Sequence, residues 1–173
     1  MENNLLENTY NSKNSLTRTY FKQKVEAAIR LADLKKEDII LDFGCGAGWL
    51  ENRLNKFYIL GYDINPEKTF IKDYKNVKPT KIFCLDVFEH IPLEELEMII
   101  SQFKKMGKFD LIVSIPTGNF ISRKVRKLVG KLEVPKEHIT SYEEIVNILN
   151  KNFKLIKTTN FFTVTKIFKF KNI

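Results

Sequence analysis

The chain has 173 residues, which is enough for one ordinary domain and short for two. Its content of 43% hydrophobic and 12% aromatic residues excludes a disordered protein, and no apolar run reaches the length of a membrane span. The formal charge of +8 has two interpretations, and we favour a Lys-rich surface over a nucleic-acid or anionic partner.

The N-terminal stretch and the two cysteines bear on domain organisation and location. Residues 1–14 are polar and lack the apolar core of an export signal, so we expect a flexible tail before a single domain over residues 15–173. Cys45 and Cys84 are flanked by apolar sequence and do not resemble a disulfide framework. These features predict a cytoplasmic protein.

The chain alternates between helical and extended patterns. Apolar residues at helical spacing predict helices over residues 15–34, 47–56, 92–107, 119–130 and 141–152, and Pro66 at a helix start predicts another over residues 66–76. Short apolar runs predict strands at "DIILDFG", "YILGYDI", "KIFCLD" and "KFDLIVSIP", and residues 153–172 predict a hairpin of two strands. This alternation indicates a mostly parallel sheet with helices on both faces and an antiparallel C-terminal edge. Ligands of such sheets bind beyond the carboxyl ends of the strands.

The first predicted strand runs into a glycine-rich turn, "LDFGCGAGW". Gly44, Gly46 and Gly48 allow a sharp turn and a close approach of backbone to ligand, with a helix N-terminus directly behind. A dinucleotide fingerprint needs a third glycine at the position that Trp49 takes here, and its indole would obstruct a pyrophosphate. The turn therefore favours a ligand without a diphosphate and disfavours a nicotinamide-dependent oxidoreductase.

The second predicted strand ends at an acidic residue, Asp63, in "GYDIN". Asp63 lies 21 residues beyond Asp42, and a carboxylate at this position is suited to accept hydrogen bonds from both hydroxyls of a ribose. The alternative is a turn aspartate ahead of Pro66. Position and spacing favour ribose binding.

Together, "ILDFGCGAG" and "GYDINPE" resemble the class I S-adenosylmethionine-dependent methyltransferases. The resemblance continues through "CLDVFEHIP" and "KFDLIVSIPT", which are similar to the ends of that fold's fourth and fifth strands. It implies an α/β fold, a Rossmann-like methyltransferase sheet that binds S-adenosylmethionine. The resemblance implies that Asp63 contacts the ribose of the cofactor, that Ile64 contacts the adenine, and that Leu85 and Asp86 contact the methionine portion. The residues that it implies at the amino-acid end are Asp42, Gly44, Cys45, Gly46 and Gly48.

The chain departs from this family after Asp63. Only "VKPT" separates the predicted helix over residues 66–76 from the strand "KIFCLD", where the family fits another strand and helix. We therefore expect a sheet trimmed around its third strand, with six strands or a vestigial third one. The acidic residue that contacts the adenine amino group in the family has no counterpart here.

The stretch "CLDVFEHIP" has a structural and a chemical interpretation. Asp86 and Glu89 have the spacing of a capping box at the start of a helix. Alternatively Asp86, Glu89, His90 and the distant His138 converge as carboxylates and imidazoles that would suit a divalent metal. We favour a structural or substrate-side role over the metal, and we name His90, His138 and Glu89 as candidate catalytic residues, with either histidine as a general base.

This pattern is similar to two branches of the superfamily, the ubiquinone-biosynthesis O-methyltransferases and the small-RNA 2′-O-methyltransferases. In the RNA branch an acid, a Glu-His pair and a distant histidine bind a metal that engages the ribose hydroxyls. The first acid there is Glu, and here it is Asp86, which is one methylene shorter. The resemblance implies methylation at oxygen.

A basic segment, "SRKVRKLVGK", follows the fifth strand of the resemblance, where this fold places substrate recognition. Apolar residues of the segment share one helical face, which indicates an amphipathic helix with a solvated basic side. The alternatives are contacts with an anionic substrate, RNA phosphates or an acidic membrane surface. We therefore predict O-methylation of a small-molecule or lipid acceptor, with RNA ribose methylation and a non-catalytic binding protein as the alternatives.

Overall fold

The computed structural model of the protein describes residues 15–117, 139–162 and 164–173. Its elements in chain order are α1 (Ser15–Ala32), β1 (Ile39–Phe43), α2 (Trp49–Arg53), β2 (Tyr58–Tyr62), β3 (Lys81–Leu85), a 3₁₀ turn (Phe88–His90), α3 (Leu93–Lys104), β4 (Asp110–Pro116), α4 (Tyr142–Asn152), β5 (Lys154–Phe161) and β6 (Thr165–Lys171). The predicted tail over residues 1–14, the predicted helix over residues 119–130 and the basic segment lie outside the described residues.

The described strands form one sheet of six in the order β2-β1-β3-β4-β6-β5. Strands β2, β1, β3 and β4 run parallel, while β6 is antiparallel to both β4 and β5. This confirms the predicted Rossmann-like sheet with its antiparallel C-terminal hairpin. Because β2 lies on one side of β1 and β3 on the other, the strand order reverses between β1 and β3, and the crevice beyond their carboxyl ends is the expected ligand site.

Helices cover both faces of the sheet. On one face α1 and α2 bury Val25, Ala28 and Leu50 against the inward side chains of the central strands. On the other face α3 and α4 pack their apolar stripes, including Ile100 and Ile145, on the opposite side of the same strands. The central strands read as unbroken apolar runs because both of their faces are covered.

The predicted helix over residues 66–76 is wrong. Asp63, Asn65 and Asp73 each accept, through a side-chain oxygen, the backbone N–H two residues further on, at 2.9, 3.0 and 2.9 Å. The N–H groups of Phe70 and Ile71 both donate to the Gly61 carbonyl, at 2.9 and 3.2 Å. These bonds use the donors that a helix would need, so short polar side chains have replaced the helix with consecutive turns.

The predicted capping box at Asp86 and Glu89 is also wrong. The segment forms a 3₁₀ turn whose N-cap is Val87, without a side-chain cap, and α3 begins separately after Pro92. Asp86 adopts a φ of 57°, and its carboxylate is bound by residues from α1 and β4. The long-range partners of Asp86 compete with the local cap and fix the side chain elsewhere.

Candidate active site

Three glycines shape the turn between β1 and α2. Gly44, Gly46 and Gly48 have φ values of 82°, 52° and 71°, in the left-handed region that side chains with a Cβ rarely adopt. The N–H groups of Gly44 and Cys45 both donate to the Tyr62 carbonyl at the end of β2, at 2.7 and 3.1 Å. The turn is therefore held across the carboxyl ends of β1 and β2.

The surroundings of Gly44 and Gly46 differ. A Cβ on Gly44 would overlap the Val87 side chain beyond β3, so the turns after β1 and β3 meet at this glycine. At Gly46 no described atom lies within 4 Å of the position that a Cβ would take. A rigid backbone that faces open space is suited to lie directly against a ligand.

Asp63 joins the end of β2 to the glycine turn. One oxygen of its carboxylate accepts the Gly46 N–H at 2.9 Å, and the other accepts the Asn65 N–H at 2.9 Å. A carboxylate has four acceptor positions, so these two bonds leave capacity for the hydroxyls of a ribose. The structure thus joins the glycine turn to the acidic residue that follows β2, 17 residues further along the chain.

Asp42 and Cys45 lie beneath the turn. Asp42 is 5% exposed, and burial raises the pKa of its carboxyl well above the usual range, with a further contribution from the neighbouring Glu51 carboxylate. Cys45 is also buried, and its thiol donates to the Lys68 carbonyl at 3.5 Å. Burial, followed by the charges of Glu51 and Asp42, raises the pKa of the Cys45 thiol, which makes it an inert packing group.

Asp86 is held by two side chains that the sequence did not single out. The Lys24 ammonium of α1 pairs with one carboxylate oxygen, and the Ser114 hydroxyl of β4 donates to the other at 2.7 Å. Lys24 is only 1% exposed. Lys24 lies on the apolar stripe of the predicted helix, three residues after Phe21 and four before Ala28. This position was the sequence feature that could have indicated a buried lysine.

The arrangement of Asp86 does not fit the alternative metal site. Both of its oxygens are engaged by a lysine and a serine, and a cation would have to replace the Lys24 ammonium. Within the described parts of the chain, no group of three His, Cys, Asp or Glu side chains is placed to hold a metal ion. His138, the fourth member of the predicted set, lies outside the described residues.

Glu89 and His90 lie in the 3₁₀ turn at the entrance to α3. Glu89 is 2% exposed, and its carbonyl accepts the N–H groups of Ile139 and Thr140 at 2.8 and 3.3 Å. His90 is half-buried. Residues 139 and 140 therefore lie against the acid–histidine segment, and the catalytic roles of Glu89 and His90 stay predictions.

The remaining predicted residues line the same edge of the sheet. Ile64 follows Asp63 and is 85% exposed, so its side chain is available to a ligand. Leu85 ends β3 and is partly buried against the α1 side of the sheet. Trp49 begins α2, half-buried, with the Lys22 ammonium 5.7 Å from its ring centroid.

None of the helices in the described ranges is long and apolar enough to cross a membrane.

A family model described as "Methyltransferase domain" matches residues 16–152. Among solved structures, magnesium protoporphyrin IX methyltransferase (ChlM) from Synechocystis PCC 6803 with bound SAH is 23% identical, with a TM-score of 0.70 over 92% of this chain and 88% of that one. N-methyltransferase NodS from Bradyrhizobium japonicum WM9 is 12% identical, with a TM-score of 0.65 over 89% and 97% of the two chains. Small RNA methyltransferase HEN1 is 18% identical, with a TM-score of 0.67 over 87% of this chain and 25% of that one.

Curated protein sequences yield no match to this chain. The fold is that of the class I S-adenosylmethionine-dependent methyltransferases, to which the matched structures with bound SAH and SAM belong. Since the family model spans most of the chain, the protein belongs to the methyltransferase-domain family and is an S-adenosylmethionine-dependent methyltransferase.

Proposed function

We propose that the protein methylates a hydroxyl oxygen of an apolar small-molecule acceptor, with S-adenosylmethionine as the methyl donor. The observation that carries the choice of acceptor is a group of four aromatic side chains beside Asp86, here termed the aromatic wall: Tyr20, Phe21, Phe161 and Phe162. An aromatic surface beside the methyl-transfer position suits an apolar molecule better than a phosphate backbone.

The aromatic wall is built from α1 and the hairpin turn. The Tyr20 ring lies 5.3 Å from that of Phe21 and 5.2 Å from that of Phe161, and Phe162 is 61% exposed. The Tyr20 hydroxyl lies 2.8 Å from that of Thr165, which fixes α1 to the start of β6. Because β6 is antiparallel to β4, this turn stands at the carboxyl end of the parallel strands.

The described lysine at this wall supports the same choice. The Lys24 ammonium lies 4.3 Å from the centroid of the Phe21 ring, but Asp86 neutralises it. The wall therefore offers apolar area without an uncompensated positive charge. The likeness to ChlM, whose name gives magnesium protoporphyrin IX as its substrate, extends over most of both chains and agrees with a small-molecule acceptor.

The predicted cofactor residues fit this function. Open space at Gly46 and the spare acceptor capacity of Asp63 suit the backbone and ribose of the cofactor. We assign Asp63 to the ribose of the cofactor, Ile64 to its adenine, and Leu85 and Asp86 to its methionine portion. The residues that we assign to its amino-acid end are Asp42, Gly44, Cys45, Gly46 and Gly48. When bound, the cofactor supplies a methyl group on a sulfonium, which is already a good leaving group.

The chain itself must align the acceptor and take up its proton. His90 is half-buried in the 3₁₀ turn, and histidine is the side chain that most often takes up a proton in enzymes, so it is our candidate for the general base. Glu89 is too buried to reach solvent and would orient the turn that carries His90. His138 remains a second candidate from the sequence.

Both cysteines are buried free thiols, which fits the predicted cytoplasmic location.

Calorimetric titration with S-adenosylhomocysteine tests the cofactor assignment. We expect micromolar binding to the wild type and at least tenfold weaker binding to Gly46→Ala, whose methyl group would occupy the open space against the ligand. Gly107→Ala is the matched control, since Gly107 also has a positive φ, 97°, and no described atom near its Cβ position, but lies at the end of α3.

Both glycine variants should lose similar amounts of stability, about 1 kcal/mol, because both force a Cβ into the left-handed region. Equal loss of binding in the two variants, or binding of NAD in place of S-adenosylhomocysteine, would contradict the assignment.

Turnover should then be screened with aromatic hydroxyl compounds and with short RNA. Methylation of RNA alone, lost when Arg126→Glu and Lys127→Glu are combined, would replace the small-molecule proposal with the RNA alternative.

A further inference from the structure

A second buried carboxyl lies beside Asp42. Glu51 projects from α2, and both of its carboxylate oxygens are shielded from solvent, while neither accepts a hydrogen bond from any described residue. The Asp42 carboxyl on β1 lies within hydrogen-bonding reach of Glu51. Two carboxyl groups therefore face each other in a dry place directly under the glycine turn.

Gly61 makes room for this pair. In the parallel register Gly61 of β2 is the direct neighbour of Asp42. A Cβ on Gly61 would overlap the Glu51 Oε1 atom, and it would stand 2.6 Å from the Phe70 ring and 3.0 Å from the Cys45 sulfur. A glycine in the interior of a strand weakens the strand, and here it admits the Glu51 carboxyl to the side of Asp42.

No basic side chain is among the groups that act on the pair within the described parts of the chain. The titratable groups that face the pair are the Asp63 carboxylate from the end of β2, the Cys45 thiol from the glycine turn and the Cys84 thiol from β3. Arg53 of α2 is turned outwards and pairs with Glu26 of α1. The Phe70 ring closes the remaining side with an apolar surface.

Two ionised carboxylates can only accept hydrogen bonds, so a dry pair without a donor is strongly unfavourable. One proton between them removes the like-charge repulsion and creates a hydrogen bond. We propose that Asp42 and Glu51 hold a single proton between them, and that the α-ammonium group of the bound cofactor displaces this proton to solvent. Burial raises the pKa of both carboxyls, and for Asp42 the Glu51 charge adds to the effect, which agrees with a retained proton.

The proposal rests on the proposed function, which places the amino-acid end of the cofactor at Asp42. In the exchange one O–H bond of the pair breaks and the proton passes to the buffer. The arriving ammonium group then balances the second negative charge of the pair. Cofactor affinity therefore depends on pH, and Glu51 sets this dependence although it lies beneath the ligand.

Proton release is measured by calorimetric titration at pH 7 in buffers of different ionisation enthalpy. We expect S-adenosylhomocysteine to release close to one proton per molecule bound from the wild type. 5′-Methylthioadenosine, which lacks the amino-acid end, should bind more weakly and release none. This ligand pair tests the exchange on the unaltered protein.

The variant Glu51→Gln should bind S-adenosylhomocysteine at least as tightly as the wild type and release no proton, because a glutamine amide donates to Asp42 and leaves it ionised. Glu97→Gln, an exposed change of the same charge on α3, should release protons like the wild type. Binding without proton release by the wild type, or equal release by Glu51→Gln, would overturn the proposal. Absence of binding would instead refute the cofactor assignment on which it rests.

Discussion

At the scale of single residues, Lys24 ties α1 to the sheet through its ion pair with Asp86. Lys24 is 1% exposed and the Asp86 side chain 16% exposed, so each charge depends on the other for compensation. The variant Lys24→Met should lower the free energy of unfolding by about 3 kcal/mol, because it leaves the Asp86 charge buried with only the Ser114 hydroxyl as a described partner. Urea denaturation measures this loss.

Lys36→Met is the matched control, since Lys36 is exposed in the turn after α1 and should change stability by less than about 0.5 kcal/mol. The double variant Lys24→Met and Asp86→Asn should recover most of the loss. Asparagine tolerates the positive φ of Asp86 and carries no charge. Additive losses in the double variant would show that the pair does not couple the two elements.

The sequence identified the residues proposed to face the cofactor better than the residues that support them. The position of Asp63 beside the glycine turn was predictable, because it follows from spacing along two strand–turn units. Lys24 was detectable as a lysine on an apolar stripe, although its partner was not. The contact between Glu51 and Asp42 could not have been predicted from the sequence, because it depends on the strand register that places Gly61 beside Asp42.

At the scale of elements, the segment from Asp63 to Ile71 takes the place of the expected helix. Thr69 organises it, since its hydroxyl accepts the Asp63 N–H at 3.2 Å and donates to the Ile71 carbonyl at 2.6 Å. The variant Thr69→Val keeps the shape and removes both bonds, so Asp63 should be less well fixed. We expect S-adenosylhomocysteine affinity to fall about fivefold, which corresponds to ~1 kcal/mol.

Thr158→Val is the control for this change. The Thr158 hydroxyl also donates to a carbonyl, that of Ile167 at 3.2 Å, but it lies on the edge strand β5, away from the glycine turn. Both variants should lose comparable stability, and only Thr69→Val should lose affinity. Unchanged affinity in Thr69→Val would mean that the Gly46 and Asn65 N–H groups suffice to hold Asp63.

The helix over residues 66–76 was predicted from the Pro at its start, which is a local signal. The helix is prevented by Asp and Asn side chains, which accept the backbone N–H two residues further on. It is also prevented by the Gly61 carbonyl on the edge strand, which accepts the N–H groups of Phe70 and Ile71. The α3 and α4 helices were predictable because burial on the sheet reinforces their periodicity.

At the scale of the whole molecule, alternation of strands and helices was sufficient to predict a mostly parallel sheet. The position of β6 between β4 and β5 was not visible in the periodicity, because its pairing with β4 joins residues about 50 to 60 positions apart. That pairing carries Phe161 and Phe162 to the carboxyl end of β4, where the proposed function needs an aromatic surface.

The dependence of stability on pH combines two groups of opposite sign. Burial would raise the pKa of Asp110, but hydrogen bonds from Lys81 and Lys169 lower it overall, so its stabilising contribution is present above the unfolded pKa of about 4 and is lost as pH falls through the lower folded value. For Asp42 and Glu51 the folded pKa is raised. The folded state then binds more protons than the unfolded state, and stability falls as pH rises from about 4 towards the folded values.

Urea denaturation of the ligand-free protein from pH 3 to pH 8 separates the two effects. We expect the wild type to be most stable in mildly acidic solution and to lose stability towards pH 8. Glu51→Gln should flatten this decline and leave the acid limb unchanged. Asp110→Asn should flatten the acid limb, lower stability throughout because Lys81 and Lys169 lose their partner, and keep the decline. A Glu51→Gln curve parallel to that of the wild type would show that the decline does not come from Glu51, and the two carboxyls would then not share a proton.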